Sequence, residues 1–318
     1  VSNGDQSEIN YVLKKIKLDE TLFLICSKSF NTIETKNNAM IAKEALEANF
    51  GKRAVNKHFL GVSSSREGMA DFGIHKDKQF YISDWVGGRF SITSAMGLPL
   101  ACMIGMDNFY RFLDGARLMD MHFKNASFDL NMPVILAMLS IYYTNFYNMQ
   151  SQAIICYGDK LTYFTDFARQ LHMESLGKKT KLDSSPVSVN TGNVIWGGSG
   201  SDGQHSYFQL LHQGSYTIPI DFIVDAGVSD DQMDTYSLAN CLAQSESLMA
   251  GMQEADPERS IDGDKPNNVI LVNKLSPQSI GQLVSLYEHK VFVQSIVYGI
   301  NAFDQFGVEL GKKIAQSL

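Results

Sequence analysis

The stretch DWVGGRFSITSAMG, residues 84–97, decides how the rest of the chain is read. A bulky strand end, Phe80-Tyr81-Ile82, runs into Asp84 and Trp85, and then Gly87 and Gly88 remove side chains so that the backbone can turn sharply and another molecule can approach closely. Arg89 follows at once. The small residues Ser91, Thr93, Ser94, Ala95 and Gly97 predict a helix whose first turn is crowded with hydroxyls and free N–H groups, so a cation and an anion-accepting helix end share one spot. Strand, glycine turn and helix in that order are a unit of an α/β fold, and this one is suited to hold negative charge. An ordinary strand-to-helix turn with a surface salt bridge uses the same residues.

Upstream, residues 7–16 place Ile9, Val12, Leu13 and Ile16 at helical spacing, and the apolar run TLFLIC at 21–26 predicts a buried parallel strand. Asn31 followed three residues later by Glu34 has the form of a capping box, which predicts a helix from near Thr32 through Leu46. Ser27, Lys28, Ser29, Thr32 and Thr35 therefore sit where a strand ends and a helix begins, the usual anion site of an open α/β sheet. Plain capping uses one or two such groups, whereas five hydroxyl or ammonium donors fall within nine residues, which points to phosphate. Strands at 58–63 and around Phe80 extend this first sheet.

Downstream, residues 108–150 carry Met and aromatic residues at helical spacing and read as core. AIICY at 153–157 opens a second α/β unit, and the helix after it delivers HMESLGKK, with Glu174 where the chain leaves the helix at the mouth of the sheet. A strand near 194 ends in a glycine-rich loop, with Gln204 and His205 at the head of the next helix, where the dipole disfavours an imidazolium and a neutral proton acceptor fits. Strands at 218–224 and 269–273 and helices at 233–252 and 276–298 follow; Tyr287, Glu288, His289 and Lys290 read as a solvated face or an interface. In FDQFGVELGKK, residues 303–313, Gln305 and Lys312 are seven apart, which puts them on nearly one face of a two-turn helix.

The totals bound the function classes. A formal charge of −7 and a pI near 5.5 argue against a nucleic-acid groove and an anionic membrane surface. The longest apolar runs, at 98–106 and 133–147, fall short of the roughly 20 residues of a membrane span. Residues 1–10 lack the pattern of a signal peptide. Cys26, Cys102, Cys156 and Cys241 are widely spaced without a C-x-x-C pair and read as buried thiols of a reducing, cytoplasmic compartment.

Taken together, the stretch at 84–97, the Ser-Lys-Ser-Phe loop at 27–30, Met-Glu-Ser at 173–175, Gly-Gln-His at 203–205 and the segment 303–313 with Ser295 upstream resemble, in order, the motifs of the bacterial-type glucose-6-phosphate isomerase (phosphoglucose isomerase) family. The chain departs from the family pattern at Leu176, where Asn is usual, and at Gly198, Ser199, Ser201 and Asp202, where Glu, Pro, Thr and Asn are usual. Members of the family carry a further region ahead of the position matching Val1, including a glycine-serine turn that helps hold the sugar phosphate. The resemblance implies an α/β fold of two sugar-isomerase (SIS-type) three-layer α/β/α domains with mainly parallel sheets. Residues 1–103 would form the first, incomplete, and residues 104–318 the second, with C-terminal helices returning to the active site.

It also implies roles. Glu174 would move the proton between C2 and C1 of a sugar phosphate, and Arg89 would stabilise the cis-enediolate, since a guanidinium stays charged at any working pH. His205 and Lys312 would shuttle the ring-opening proton, with Glu34 as a carboxylate partner that orients the imidazole. Ser27, Ser29, Thr32 and Thr35 would hold the phosphate with Lys28 nearby, and Gly88, Gln170 and Gln305 would line the sugar. In the family the site lies at a homodimer interface with the histidine from the neighbouring subunit. No cofactor and no metal are implied, since the seven histidines form no ligand set at zinc spacing. Two other readings stay open from the residues alone: a sugar-phosphate-binding module or inactive fragment without turnover, and an isomerase that also accepts mannose 6-phosphate.

Overall fold

The computed structural model describes residues 1–227 and 232–317; the side chains of residues 232–234, 312, 316 and 317 lie outside that description. The chain divides into two compact units, Val1–Met106 and Asp107–Leu318.

The first unit runs α1 (Gln6–Lys15), β1 (Phe23–Cys26), α2 (Ile33–Phe50), α3 (Val55–His58), β2 (Phe59–Ser63), α4 (Arg66–Phe72), β3 (Gln79–Tyr81) and α5 (Leu98–Ile104). Each strand is followed by helix before the next, so the chain returns to the same sheet edge and the strands pair in parallel, in the order β1-β2-β3. Phe23 lies opposite Phe59, and their rings stack at 5.1 Å, while Phe72 meets Phe59 edge-on at 5.3 Å. Leu46 of α2 and Met69 of α4 are fully buried against this cluster. The stretch 84–97 departs from expectation. Two short 3-10 turns, Gly88–Phe90 and Ala95–Gly97, replace the predicted helix start, and α5 begins only at Leu98 with a proline in its first turn. The hydroxyls of Ser91 and Ser94 donate to the carbonyls of Gly88 (2.5 Å) and Ser91 (2.6 Å), closing these turns.

The second unit runs α6 (Met106–Asn125), α7 (Met132–Phe146), β4 (Ser151–Tyr157), α8 (Phe164–Leu176), β5 (Val194–Ser199), α9 (Gly200–Gln204), α10 (Phe208–Gln213), β6 (Ile220–Asp225), α11 (Gln232–Ala250), β7 (Asn267–Val272), α12 (Pro277–Tyr298) and α13 (Glu309–Ser317). Its four strands are parallel in the order β5-β4-β6-β7. Alternation along the strands separates two faces. Ala153, Ile155, Tyr157, Ile220, Phe222 and Val224 pack with Phe208 and Leu211 of α10 and Cys241 and Leu248 of α11. On the other face Thr165 of α8 donates to the Ile154 carbonyl (3.0 Å), and Lys290 of α12 reaches Gln152 and Asp221 (3.3 Å each). Helices on both faces of a parallel sheet make the α/β fold expected.

Two close approaches depend on missing side chains. A Cβ on Gly197 (φ +122°) would stand 2.2 Å from the Ile154 carbonyl oxygen, and one on Gly281 would stand 2.0 Å from that of Phe112, where α12 crosses α6. Within the stretch 287–290, Tyr287 and Lys290 depart from a solvated face. Tyr287 and Lys290 are buried in the core and Lys290 pairs with Asp221. Among the described residues no helix is long and apolar enough to cross a membrane.

Candidate active site

In the first unit, β1 ends at Cys26 and the chain enters the loop SKSFNT. Ser27 is buried; its N–H donates to the Val62 carbonyl (3.1 Å) and its hydroxyl to Thr32 Oγ1 (3.2 Å). The Lys28 carbonyl accepts from the Ser64 N–H (2.8 Å), the Ser63 hydroxyl (2.8 Å) and the Ser64 hydroxyl (2.9 Å), which fixes the loop to the end of β2. Phe30 takes φ +57°, a left-handed backbone that a bulky residue adopts only at a cost of about 1–3 kcal/mol. Its buried ring, edge-on to Phe72 at 6.0 Å, holds it there. The loop thereby gathers the Ser27, Ser29 and Thr32 hydroxyls ahead of α2.

The capping box expected from Asn31 and Glu34 is not formed. Thr32 is the N-cap and makes no side-chain cap bond, so Asn31 stands one residue too early and Glu34 lies exposed in the first turn. Thr35 is half-buried in that turn. An uncapped first turn leaves N–H groups for an anion. Gly87 has an ordinary extended backbone (φ −67°), so the glycine pair is not required by a left-handed turn. A Cβ on Gly88 would meet no atom within 4 Å, and that open space is what bears on a bound molecule. Arg89 is buried, with its guanidinium 5.5 Å from the Phe90 ring centroid.

In the second unit, Gln170 and Glu174 are one turn apart on α8, and the Gln170 amide donates to Glu174 Oε2 (3.1 Å). Glu174 is half-buried and lines a groove of about 1110 Å³ together with Lys178, Thr191, Asp304, Gln305 and Phe306. The Lys178 ammonium donates to the carbonyls of Glu174 and Asp304 (2.7 Å each) and lies 3.3 Å from Asp304 Oδ1. Glu174, Gln170 and Gln305 are thus brought together. The edge differs from the one expected, because α8 runs back antiparallel to β4 and its last turn reaches the amino-terminal edge of the sheet instead of the carboxyl mouth.

His205 lies elsewhere. It is the exposed C-cap of the short α9, not the head of a helix, so the dipole argument for an N-terminal imidazole does not apply. The neighbouring Gln204 amide donates to the Tyr157 hydroxyl (2.9 Å) at the end of β4, which places His205 at the carboxyl edge of the sheet. With seven residues in β4, at about 3.3 Å each, the two edges are roughly 20 Å apart. Gln305 is the N-cap of a 3-10 turn, Phe306–Val308, and α13 starts after it, so Gln305 and Lys312 do not share one helix. Lys312 falls within α13; its side chain lies outside the described residues. Of the cysteines, Cys156 and Cys241 are buried as expected, whereas Cys26 is partly exposed and Cys102 is on the surface. Burial raises the Cys26 thiol to about 11.

The phosphoglucose isomerase family profile matches residues 1–318, the whole chain. The chain belongs to the phosphoglucose isomerase family. A glucose-6-phosphate isomerase of Pseudomonas fluorescens (strain Pf0-1) is 46% identical over an alignment covering 100% of this chain and 61% of the relative. The solved glucose-6-phosphate isomerase of Chlamydia trachomatis D/UW-3/Cx superposes with a TM-score of 0.92 at 34% identity, covering 99% of this chain and 62% of that one. A structure from Thermus thermophilus with a TM-score of 0.81 and 22% identity, covering 98% of this chain and 75% of that one, shares the fold. The chain therefore spans about three fifths of the length of the phosphoglucose isomerase relatives it matches.

Residue patterns alone passed over Lys178, Asp304, Phe30, Ser63 and Ser64. The Lys-Lys run after Glu174 was a signal in the sequence. The left-handed Phe30 left none, because aromatic residues rarely take that backbone.

Proposed function

We propose that this chain carries the chemistry that interconverts glucose 6-phosphate and fructose 6-phosphate, a step of glycolysis and gluconeogenesis. The observation that carries the reading is the half-buried Glu174 at the rim of the groove, hydrogen-bonded to Gln170 and sharing that groove with Gln305. Glu174 takes the C2 proton of the open-chain aldose as a general base, and the C2–H electron pair becomes the C1=C2 bond of the enediolate as the carbonyl pair moves to O1. The C2 hydroxyl proton passes to O1, and the same carboxyl returns its proton to C1 as the C2 carbonyl forms. Arg89 meets the enediolate's negative charge. Ser27, Ser29, Thr32 and Thr35 hold the phosphate with Lys28 beside them, Gly88, Gln170 and Gln305 line the sugar, and His205 and Lys312 pass the ring-opening proton, Glu34 supporting the imidazole.

The reading includes a homodimer. Glu174 and His205 stand at opposite edges of one sheet, so a histidine serving Glu174 comes from a second copy, as the family pattern implies. Four cysteines without a disulfide support a cytoplasmic setting.

The test is proton exchange. In an assay with fructose 6-phosphate, the protein turns over and exchanges one substrate proton with solvent, and Glu174→Gln abolishes both while inorganic phosphate still protects the protein against thermal unfolding. Turnover that survives Glu174→Gln overturns the assignment, and loss of phosphate protection along with turnover makes Glu174 structural.

A further inference from the structure

We propose that Lys178 is a positioning residue that sets Glu174 against the segment carrying Gln305. The inference rests on the reading of Glu174 as the base. Gly177 ends α8, its N–H donating to the Met173 carbonyl (3.0 Å), and the chain turns there. Lys178 is fixed at both ends. Its backbone N–H donates to the Leu176 carbonyl (2.7 Å), and its carbonyl accepts from the Thr191 hydroxyl (2.8 Å). Its side chain, 15% exposed, folds back along the helix so that the ammonium meets three oxygens: the Glu174 carbonyl, the Asp304 carbonyl and the Asp304 carboxylate.

An ammonium donates but accepts nothing, so each of these oxygens is a partner of the right kind. A carbonyl in the last turn of a helix has no intrahelical donor, and a cation there also faces the negative end of the helix dipole. Lys178 thus does two things with one charge. It closes the end of α8 at the residue that bears the carboxylate, and it ties that residue's backbone to Asp304, whose next neighbour is Gln305. No helix or strand holds Asp304 itself, since it lies between α12 and the turn at Phe306–Val308. This bridge therefore contributes to the position of Gln305 relative to Glu174, and a displacement of about 1 Å in such an arrangement lowers turnover about 100-fold.

The experiment compares the unaltered protein with Lys178→Met and Lys178→Arg by two readouts: kcat and KM for fructose 6-phosphate, and hydrogen exchange of the backbone amides at 301–306. The expected result is a kcat lowered about 10- to 100-fold in Lys178→Met with KM within about 3-fold, faster exchange at 301–306, and partial recovery of both in Lys178→Arg. Unchanged exchange at 301–306 overturns the proposal whatever happens to kcat, and faster exchange with unchanged kcat overturns it as well. If Lys178→Met does not fold, Lys178→Arg carries the same comparison, since it keeps the charge and alters only the geometry. If the unaltered protein shows no turnover, the isomerase reading falls, and exchange alone decides whether Lys178 holds the segment.

Discussion

Two lysine–aspartate pairs in the second unit have the same separation, 3.3 Å, and opposite surroundings. Lys178 and Asp304 at the groove keep 15% and 23% of their side chains exposed, whereas Lys290 and Asp221 in the core keep 1% and 0%. Removing two charges from water costs several kcal/mol each, so the core pair depends on the hydrogen bonds that surround it. Asp221 accepts from the Asn268 amide (2.8 Å), the Gln152 amide (2.9 Å) and the Tyr287 hydroxyl (3.1 Å) besides Lys290, and Lys290 also donates to Gln152 Oε1 (3.3 Å). Burial first, and then the Asp221 charge, push the Tyr287 phenol well above its ordinary range, so it stays a donor. The core pair locks β4, β6, β7 and α12 together. The groove pair is reached by water and ties the end of α8 to one loop.

The largest effect expected from this contrast is on global stability at the core pair. Lys290→Met leaves Asp221 charged and uncompensated, and Asp221→Asn does the same to Lys290; each should cost about 3–5 kcal/mol. The double variant removes both charges and should cost less than either single change, because no buried charge is left alone. Urea unfolding of the three variants reads this directly. A double variant as unstable as the sum of the singles would mean that the pair contributes through shape and not through charge.

A second way to sharpen the comparison is pH, since two buried groups, one on α8 beside Lys290 and one on α12, are shifted from their ordinary values. His172 is buried on α8, and burial, followed by the Lys290 charge, lowers it from 6.5 to about 3. The folded protein then binds fewer protons than the unfolded chain between those values, so this contribution is complete above pH 6.5 and is lost as pH falls toward 3. Glu288 on α12 goes the other way. Burial, with a smaller push from Asp120, raises it from 4.5 to about 8, so its contribution is present below pH 4.5 and is lost as pH rises through 8. The slopes oppose each other between 4.5 and 6.5, and between 6.5 and 8 only the Glu288 slope remains, at most about 1.4 kcal/mol per pH unit. Glu288→Gln should flatten the decline in Tm from pH 6.5 to 8, steepen the rise between 4.5 and 6.5 where the His172 slope is then unopposed, and leave the limb below 4.5 alone. An unchanged alkaline decline would show that Glu288 is not its source.

These pairs also show what a sequence displays and what it hides. The two parallel sheets were legible in TLFLIC and AIICY, because a continuous apolar run has one stable place, inside a sheet covered on both faces. The family motifs made Glu174 and Gln170 legible. From the sequence Lys290 reads as part of a solvated face or an interface, because a lysine within a helix is usually solvated, and nothing local reports that Asp221, 69 residues away, waits opposite it. The helix expected at Ser91 failed for a local reason. Serine hydroxyls that can bond carbonyls three residues back stabilise 3-10 turns as readily as they cap a helix. Glu174's edge of the sheet was misplaced because spacing along a helix says nothing of the direction in which the helix crosses its sheet.

The smallest expected effect is the most discriminating. Asp304→Asn removes the carboxylate charge at 3.3 Å from Lys178 but keeps the Asp304 backbone carbonyl, which accepts from the same ammonium at 2.7 Å. Water reaches both side chains, so the freed charge is solvated and not stranded; the loss in global stability should be about 1 kcal/mol or less by urea unfolding. The same chemical change at Asp221, carboxylate to amide opposite a lysine, is expected to cost several times more. Equal losses at the two sites would break the comparison, because they would show that the separation of the charges, which is the same in both pairs, outweighs their burial.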